Sequence, residues 1–307
     1  MLVLHHFPQS PFAQKVRSIL GYKRLSWHSV DIPMVMPKPD LTALTGGYRR
    51  TPVLQIGADV YCDTALICDV LEQWQTEPSL YPLGQEGWAR IVAQWADALW
   101  FPVMSAFSFQ PAGATHFYRQ MGAGQRQALE QDRQAMRGGQ ARLPAAEAVA
   151  AARTQLQRLA QVLEQQPFLL GEQPSLADFS IYHPLWFLRT QVGVLQPALD
   201  PWPAVQQWLD RMQALGQGQS QPLGSEAALA LAASSRPAAL AAGEFFDAHG
   251  LPLGSRVSIR AESMGTEASV GELVSACQSR LVLRRHDPRA GTVHVHFPRL
   301  GFVMTAA

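Results

Sequence analysis

The order of elements in the first 77 residues constrains the fold more than any other feature of this sequence. An apolar strand at Leu2–His6 is followed by an amphipathic helix over Pro11–Tyr22 and by an alternating strand at Trp27–Ile32. Such a strand–helix–strand unit is normally parallel and right-handed. Two further short strands, 51–56 and 60–62, are joined by a hairpin connection and precede another helix. The pattern predicts an α/β domain over residues 1–77.

Two sites in this domain have the residues that begin helices. Ser10 is a good N-cap, and Pro11 fits the first helical position, where a missing N–H is not needed. Asp63 and Thr64 likewise precede the helix that runs to about residue 74. The N-terminus of a helix carries unpaired N–H groups and the positive end of the dipole, so it stabilises an anion. Ser10 is therefore either a helix cap only or a cap that also faces a ligand.

The rest of the chain divides into two regions of different character. Residues 84–215 contain long helical segments without strand signals, and one nearly all-apolar helix follows Ser175, with Asp178 at capping-box spacing. Residues 216–243 are predicted to be a linker with an Ala-rich helix, and 244–307 a small β-barrel or β-sheet domain of unknown role. The predicted strands of that domain are Arg256–Arg260, Glu272–Val274, Arg280–Arg284 and Thr292–Phe297, with an edge at 301–305.

Composition excludes several classes of function. The chain has 307 residues with 25 basic and 24 acidic side chains, and no basic run interleaved with aromatics, so we expect no nucleic acid as a partner. No apolar run is long enough to cross a membrane, and the N-terminus lacks the features of a signal peptide. Three scattered cysteines, Cys62, Cys68 and Cys277, suit free thiols in a reducing cytoplasm.

Four motifs, taken together in this order and spacing, carry a resemblance to a known family. They are Ser10-Pro11-Phe12 with Gln14-Lys15-Val16-Arg17, then Arg50-Thr51-Pro52-Val53-Leu54, Asp63-Thr64, and Ser175-Leu176-Ala177-Asp178. With them, residues 1 to about 215 resemble a cytosolic glutathione S-transferase. The resemblance implies a thioredoxin-like N-terminal domain and an all-helical second domain. It covers two-thirds of the chain and says nothing about the C-terminal β region.

The resemblance also implies which residues bind glutathione. Pro52 would be cis, and Thr51 would then pair its backbone with the cysteinyl part of the tripeptide. Asp63 would meet the α-ammonium of the γ-glutamyl group, although it is one methylene shorter than the Glu of relatives, and Thr64 would bind the α-carboxylate. Arg50 or Arg49 would lie near the glycyl carboxylate, with Lys38 as the alternative. Phe12 completes the expected set.

Ser10 is the candidate for activating the thiol. A free cysteine thiol has a pKa of about 8.5, and lowering it by about 2 units requires about 2.7 kcal/mol of preferential stabilisation of the thiolate. One hydrogen bond to a charged group supplies about 1.5–3 kcal/mol, and a helix N-terminus adds about 0.3–1 kcal/mol. A single hydroxyl is therefore sufficient, and no general base is needed.

The register of Ser10 differs from that of relatives. Position 10 is where thiol-transferring members of the family carry cysteine, whereas serine-type conjugating classes place their serine one or two residues earlier, where this chain has Pro8 and Gln9. Without a cysteine at position 10, a mixed disulfide with glutathione cannot form there. This favours conjugation over disulfide reduction.

Aromatic and apolar residues of the second domain are candidates for the pocket of a small hydrophobic electrophile. They occur at helical spacing, which is also typical of plain core. The candidates are Trp100, Phe101, Met104 and Phe107, followed by Phe117 and Tyr118. In the C-terminal region, His294 and His296 share a strand face but have no third ligand at convincing spacing, so no metal is expected.

The sequence thus predicts a glutathione transferase, homodimeric by family likeness, with an appended β region. Two alternatives stay open. One is a binding or scaffold protein that kept the fold without catalysis, and the other is an enzyme that uses glutathione for isomerisation or reduction. The physiological substrate is not indicated by any residue.

Overall fold

The computed structural model of the chain describes residues 1–240, 245–246 and 248–307. Its N-terminal part has the predicted order of strands and helices, and the helix starts at Pro11 and Thr64 fall where the caps place them. The elements are β1 (Val3–His6), α1 (Pro11–Tyr22), β2 (Ser26–Asp31), α2 (Pro39–Thr45), β3 (Val53–Ile56), β4 (Asp59–Cys62) and α3 (Thr64–Trp74). β1 pairs parallel with β2 and antiparallel with β3, which confirms the thioredoxin-like arrangement.

The second part of the chain is helical, as predicted. Its helices are α4 (Glu86–Trp95), α5 (Phe101–Ser108), α6 (Pro111–Tyr118), α7 (Ala123–Arg137), α8 (Ala145–Leu163), α9 (Leu176–Gln191) and α10 (Pro203–Ala214). A π-helical turn, Ala96–Trp100, joins α4 to α5, and a 3₁₀ segment, Gly193–Leu199, precedes α10. Ser175 and Asp178 form the predicted capping box of α9. No helix in the described part of the chain is long and apolar enough to span a membrane.

Among the described residues from 256 onward, five strands extend the N-terminal sheet. The elements after α10 are β5 (Gln219–Pro222), α11 (Ser225–Ser234), β6 (Arg256–Ala261), β7 (Ser269–Ala276), β8 (Arg280–Asp287), β9 (Gly291–Pro298) and β10 (Phe302–Ala306). β9 pairs parallel with β4, so one sheet runs in the order β10-β6-β7-β8-β9-β4-β3-β1-β2-β5. Of the two expected forms, barrel or sheet, the described residues show an open sheet.

Two hydrophobic cores lie on the N-terminal domain. One joins the face that carries α1 and α3 to the helices of the second part. The other joins β3, β4 and α2 to α11 and the C-terminal strands, with Val60, Val295 and Phe297 fully buried. The β region therefore shares its core with the first domain. The boundary proposed between residues 243 and 244 lies outside the described residues.

Two elements were not predicted from the sequence. β5 lies in the Gly- and Gln-rich stretch assigned to the linker, where it pairs parallel with β2 while all four of its side chains are exposed. Because its side chains are exposed on both faces, they carry no strand pattern; Gln219 Oε1 accepts a hydrogen bond from Ser26 Oγ at 3.4 Å. α6 lies where no separate helix is predicted, although Gln110-Pro111 is a permissible helix start.

Candidate functional site

A cleft of about 2270 Å³ lies where the three regions of the chain meet. Its walls come from the N-terminal domain, from α4 to α7, and from turns of the C-terminal β region. Every residue predicted to bind glutathione lines it, namely Ser10, Phe12, Lys38, Arg50, Thr51, Pro52, Asp63 and Thr64. The motifs that the sequence separates by more than fifty residues thus meet at one surface.

Ser10 is the N-cap of α1 and lines the cleft. Its Oγ accepts a hydrogen bond from the Ala13 N–H at 3.2 Å, and its own N–H donates to the Phe7 carbonyl at 3.1 Å. A hydroxyl that accepts from the backbone still has its proton to donate. Ser10 can therefore cap the helix and donate to an anion in the cleft at the same time.

The turn before Ser10 is fixed by Arg17, whose role was not predicted. Arg17 is buried; its Nη1 lies 3.0 Å from His6 Nδ1, and its Nη2 donates to the Pro8 carbonyl at 2.9 Å. Burial lowers the pKa of the Arg17 guanidinium to about 10. The guanidinium thus holds the loop that carries Ser10. A cationic side chain on the buried face of α1 is the signal that could have revealed this role of Arg17.

Thr51 and Lys38 also line the cleft. The Thr51–Pro52 peptide is cis, as predicted. Lys38 Nζ donates to Thr51 Oγ1 at 3.2 Å and to the Arg49 carbonyl at 3.3 Å. Burial, together with nearby Arg133, lowers the pKa of the Lys38 ammonium to about 8. The two oxygens that accept hydrogen bonds from Lys38 are thus both neutral.

Asp63 caps α3 and carries an unusual backbone conformation. Its φ is +76°, and its Oδ1 accepts from the Ala65 N–H at 3.0 Å. A non-glycine residue at positive φ is a strained position that often marks a ligand site. Burial raises the pKa of the Asp63 carboxyl. Thr64 follows, buried at the first turn of α3, where its N–H faces the same end of the helix.

Arg50 and Arg49 are both engaged by the C-terminal β region. Arg50 Nε donates to the Met264 carbonyl at 2.6 Å and Nη2 to the Ser263 carbonyl, while Nη1 lies 3.7 Å from Asp63 Oδ2. Arg49 is buried in ion pairs with Asp132 and Glu267. Neither arginine presents a free guanidinium for a ligand carboxylate.

The turn between β6 and β7 therefore forms part of the cleft wall. Glu262, Ser263 and Met264 line the cleft, and the Gly265 N–H donates to the Met136 carbonyl of α7 at 2.7 Å. The sequence left the role of the β region open. The structure places turns of this region in the wall of the cleft.

A largely buried charged network that was not predicted from the sequence lies beneath Phe12. Lys15 Nζ, 1% exposed, donates to Asp97 Oδ2 at 2.7 Å, and Asp97 Oδ1 lies 3.4 Å from His183 Nε2. Burial opposes the charge on both partners, but the attraction between them raises the pKa of Lys15 and lowers that of Asp97. Asp97 sits on the π-helical turn, which aims it at α1 rather than along the α4 face.

The pocket residues predicted from helical spacing divide into two groups. Phe101, Met104 and Tyr118 line the cleft, together with Phe117. Trp100 and Phe107 are absent from its walls and are buried in the core, where Trp100 Nε1 donates to the Ile181 carbonyl at 3.1 Å. Assigning them to the pocket was wrong, because spacing alone does not tell which side of a buried helix faces a cavity.

The fold and the assembled site define a class. A thioredoxin-like domain with a cis-proline beside a helix-capping serine, joined to an all-helical domain, is the architecture of the glutathione transferases. Models of the glutathione S-transferase N-terminal domain and C-terminal domain match residues 4–79 and 127–211, which together are more than half of the chain. The chain belongs to the glutathione S-transferase family.

Relatives of known name or structure extend this result. A GST-like protein from Pseudomonas syringae is 44% identical, with a TM-score of 0.82 over 100% of this chain and 99% of that one. FtsZ-localized protein A of Caulobacter vibrioides is 28% identical over 184 residues, which are 58% of this chain and 72% of the relative. The structure of FzlA from C. crescentus is 26% identical with a TM-score of 0.52, over 69% of this chain and 88% of that one. The Pseudomonas match thus includes the C-terminal strands.

Proposed function

We propose that this protein binds glutathione in the cleft and activates its thiol as a thiolate, which attacks a small hydrophobic electrophile so that the whole glutathionyl group is transferred. The observation that carries the proposal is the convergence of Ser10, Thr51 and the start of α3 on one cleft of a glutathione S-transferase fold. Thr51 would pair its backbone with the cysteinyl unit, and Asp63 with Thr64 would bind the γ-glutamyl end. The Ser10 hydroxyl would donate to the thiolate.

Lys38 takes the place of Arg50 in this proposal. Because Arg50 is held by the carbonyls of Ser263 and Met264, it is not available for the glycyl carboxylate. Lys38 lines the cleft beside Thr51 and is charged below its pKa of about 8. An ammonium held only by neutral oxygens gains more from a carboxylate than one already paired.

The reaction needs no general base on the enzyme. The thiol of glutathione releases its proton to water as it binds, and the thiolate attacks an electrophilic carbon. A carbon–sulfur bond forms, and the bond to the leaving group breaks, with the leaving group taking the electron pair. The aromatic wall formed by Phe101, Phe109 and Tyr118 would hold the apolar part of the substrate.

Calorimetric titration of glutathione into the full chain tests the binding step. We expect a dissociation constant of about 1 mM or tighter, with a large loss in Asp63→Ala and little change in Asp69→Ala, a second cleft carboxylate, which already pairs with Arg90. No heat of binding at millimolar glutathione would reject the proposal. Activity is then screened with conjugation, peroxide and disulfide substrates.

A binding function without catalysis is the second candidate. It is favoured by the likeness to FtsZ-localized protein A and by the turn between β6 and β7, which forms part of the cleft wall. If the chain acts in this way, it would co-sediment with FtsZ polymers, and Ser10→Ala would leave co-sedimentation unchanged. Absence of the protein from the polymer pellet would reject this candidate.

A homodimer is also proposed, with α4 in the interface. Trp88, Ile91 and Leu99 are 63%, 58% and 60% exposed on this part of the chain, which forms an apolar face. Light scattering would show a dimer for the natural chain and a monomer for Ile91→Glu. A monomeric natural chain would reject the dimer.

A cytoplasmic location likewise stays a prediction, supported by three free cysteines.

A further inference from the structure

Three side chains with metal-binding atoms converge where the C-terminal strands join the N-terminal sheet. The parallel ladder places Asp59 of β4 opposite His294 of β9, with His296 two residues further along. Residues two apart in a strand point to the same face of a sheet. Their ligand atoms, one from each residue, all lie within 4.8 Å of one another. Asp59 lies 237 positions before His296, which is why the sequence showed only two of the three.

The cluster is buried and its members are held in place. His296 Nε2 lies 2.8 Å from Asp59 Oδ1, and the Ala238 N–H donates to the other carboxylate oxygen at 2.8 Å. The His296 ring stacks on Tyr61 with centroids 4.4 Å apart. His294 Nδ1, 3.8 Å from Asp59 Oδ1, has no hydrogen-bond partner among the described residues. A buried polar atom without a partner, aimed at a carboxylate, calls for an explanation.

The charges around the cluster are compatible with a cation. The carboxylate oxygen Oδ1 of Asp59 lies 3.8 Å from His294 Nδ1 and 2.8 Å from His296 Nε2, so it supplies a negative charge beside both imidazoles. Arg284, the cross-strand neighbour of His294, forms a bidentate ion pair with Glu272, which offsets part of its charge. Arg284 still acts on His294, and Arg280 acts on His296, so both arginines would weaken metal binding.

We propose that Asp59, His294 and His296 bind a divalent metal ion of the zinc type. Two imidazoles and one carboxylate are a donor set for Zn²⁺ or Co²⁺, and a water would occupy the fourth position. The ion would hold β9 against β4. It would thereby help to position the turn between β6 and β7, which lines the cleft. It would act at the junction of the sheet and take no part in the reaction.

Metal titration of the full, tag-free chain, stripped of metal beforehand, tests this site. We expect one equivalent of Zn²⁺ to bind in competition with a chromophoric chelator, with a dissociation constant of about 1 μM. In the described part of the chain, His296 Nδ1, the nitrogen that would face away from the metal, has no hydrogen-bond partner. A partner at that position typically raises metal affinity by about 10–100-fold, so its absence explains why we expect a dissociation constant as weak as this. At 100 μM Zn²⁺ the melting temperature should rise by about 5 °C.

Variants separate this site from binding elsewhere and from a plain hydrogen bond. His294→Ala keeps the His296–Asp59 contact, so it should fold as the natural chain does in the absence of metal, yet bind Zn²⁺ more than about 100-fold more weakly. His286→Ala, at an exposed histidine of the neighbouring strand, and Cys277→Ser should bind Zn²⁺ as the natural chain does.

Two results would overturn the proposal. One is a natural chain that neither binds Zn²⁺ nor gains thermal stability from it, in which case the three residues form only a buried hydrogen-bonded cluster. The other is unchanged binding in His294→Ala, which would move the metal to another site. Co²⁺ adds a spectroscopic readout, because a four-coordinate site gives intense visible absorption that His294→Ala should lose.

Discussion

Replacing Ser10 with alanine tests the proposed activation of the thiol, provided that its two roles are separated. Ser10 caps α1 through the Ala13 N–H, so alanine removes a helix cap as well as the hydroxyl that would donate to the thiolate. A lost cap costs about 1 kcal/mol of stability, within a range of about 0.5–2 kcal/mol. That cost lowers the melting temperature but does not by itself change the pKa of a bound thiol.

The hydroxyl sets the size of the expected effect. A hydrogen bond to a charged group contributes about 1.5–3 kcal/mol, and one pKa unit corresponds to 1.36 kcal/mol. Ser10→Ala should therefore raise the pKa of the bound thiol by about 1–2 units. The N-terminus of α1 stays in place and would retain the smaller stabilisation of about 0.3–1 kcal/mol, so the variant should not reach the value of free glutathione.

Thiolate absorbance of bound glutathione, followed against pH, measures this pKa directly. Ser10→Asp is the matched control, since aspartate is an equally good N-cap that cannot donate when ionised. It should keep the stability that Ser10→Ala loses, yet raise the thiol pKa at least as much. If both variants titrate like the natural chain, Ser10 is a helix cap only and the reasoning is refuted.

Three further predictions concern the surroundings of the site. Asp97→Asn leaves the buried Lys15 ammonium unpaired and should lower the free energy of unfolding in urea by about 3 kcal/mol. This is the low end of the range for a broken buried ion pair, because Asp97 is partly exposed. A loss below about 1 kcal/mol would contradict this. The Lys38 pKa is about 8 in the folded chain against an ordinary 10.5, so the unfolded chain binds more protons between these values and stability should rise with pH there. Lys38→Met should lose that rise, and it should also lose the part of the pH dependence of glutathione binding across 7–9 that the Lys38 ammonium contributes, whereas a pH profile identical to that of the natural chain would exclude Lys38. Gly47 has φ +151°, and a Cβ there would lie 2.1 Å from a backbone carbonyl oxygen of the C-terminal region. Gly47→Ala should therefore lower the free energy of unfolding, measured by thermal unfolding, by about 3 kcal/mol or more. Gly124→Ala, with open space around it, should lower it by nothing, and equal effects of the two variants would contradict the packing.

Local signals were sufficient to predict most of the fold. The caps at Ser10 and Asp63 and the capping box at Ser175 set the helix starts, because each satisfies backbone N–H groups within a few residues. Alternation of apolar residues likewise located the C-terminal strands. β5 was missed because its four side chains are all exposed, and a strand without a buried face has no alternating side-chain pattern.

The parts of the site that depend on long-range contacts could not be predicted. Arg50 was expected to face the ligand, but the turn between β6 and β7 engages it, and a register between β4 and β9 decides where that turn lies. Asp97 depends on a π-helical turn, which shifts the face of the helix by part of a turn. Trp100 and Phe107 have the spacing of their pocket neighbours, yet they face the core.

The backbone amide of Thr51 offers the most direct test of the central claim, that glutathione pairs with this strand end. Amide resonances of the isotope-labelled chain would be followed during titration with glutathione, with Thr154 of α8, a helix that does not line the cleft, as an internal reference. We predict saturable shifts at Thr51 and Thr64 with one common dissociation constant and none at Thr154. Unmoved Thr51 and Thr64 resonances at saturating glutathione would contradict the proposed site.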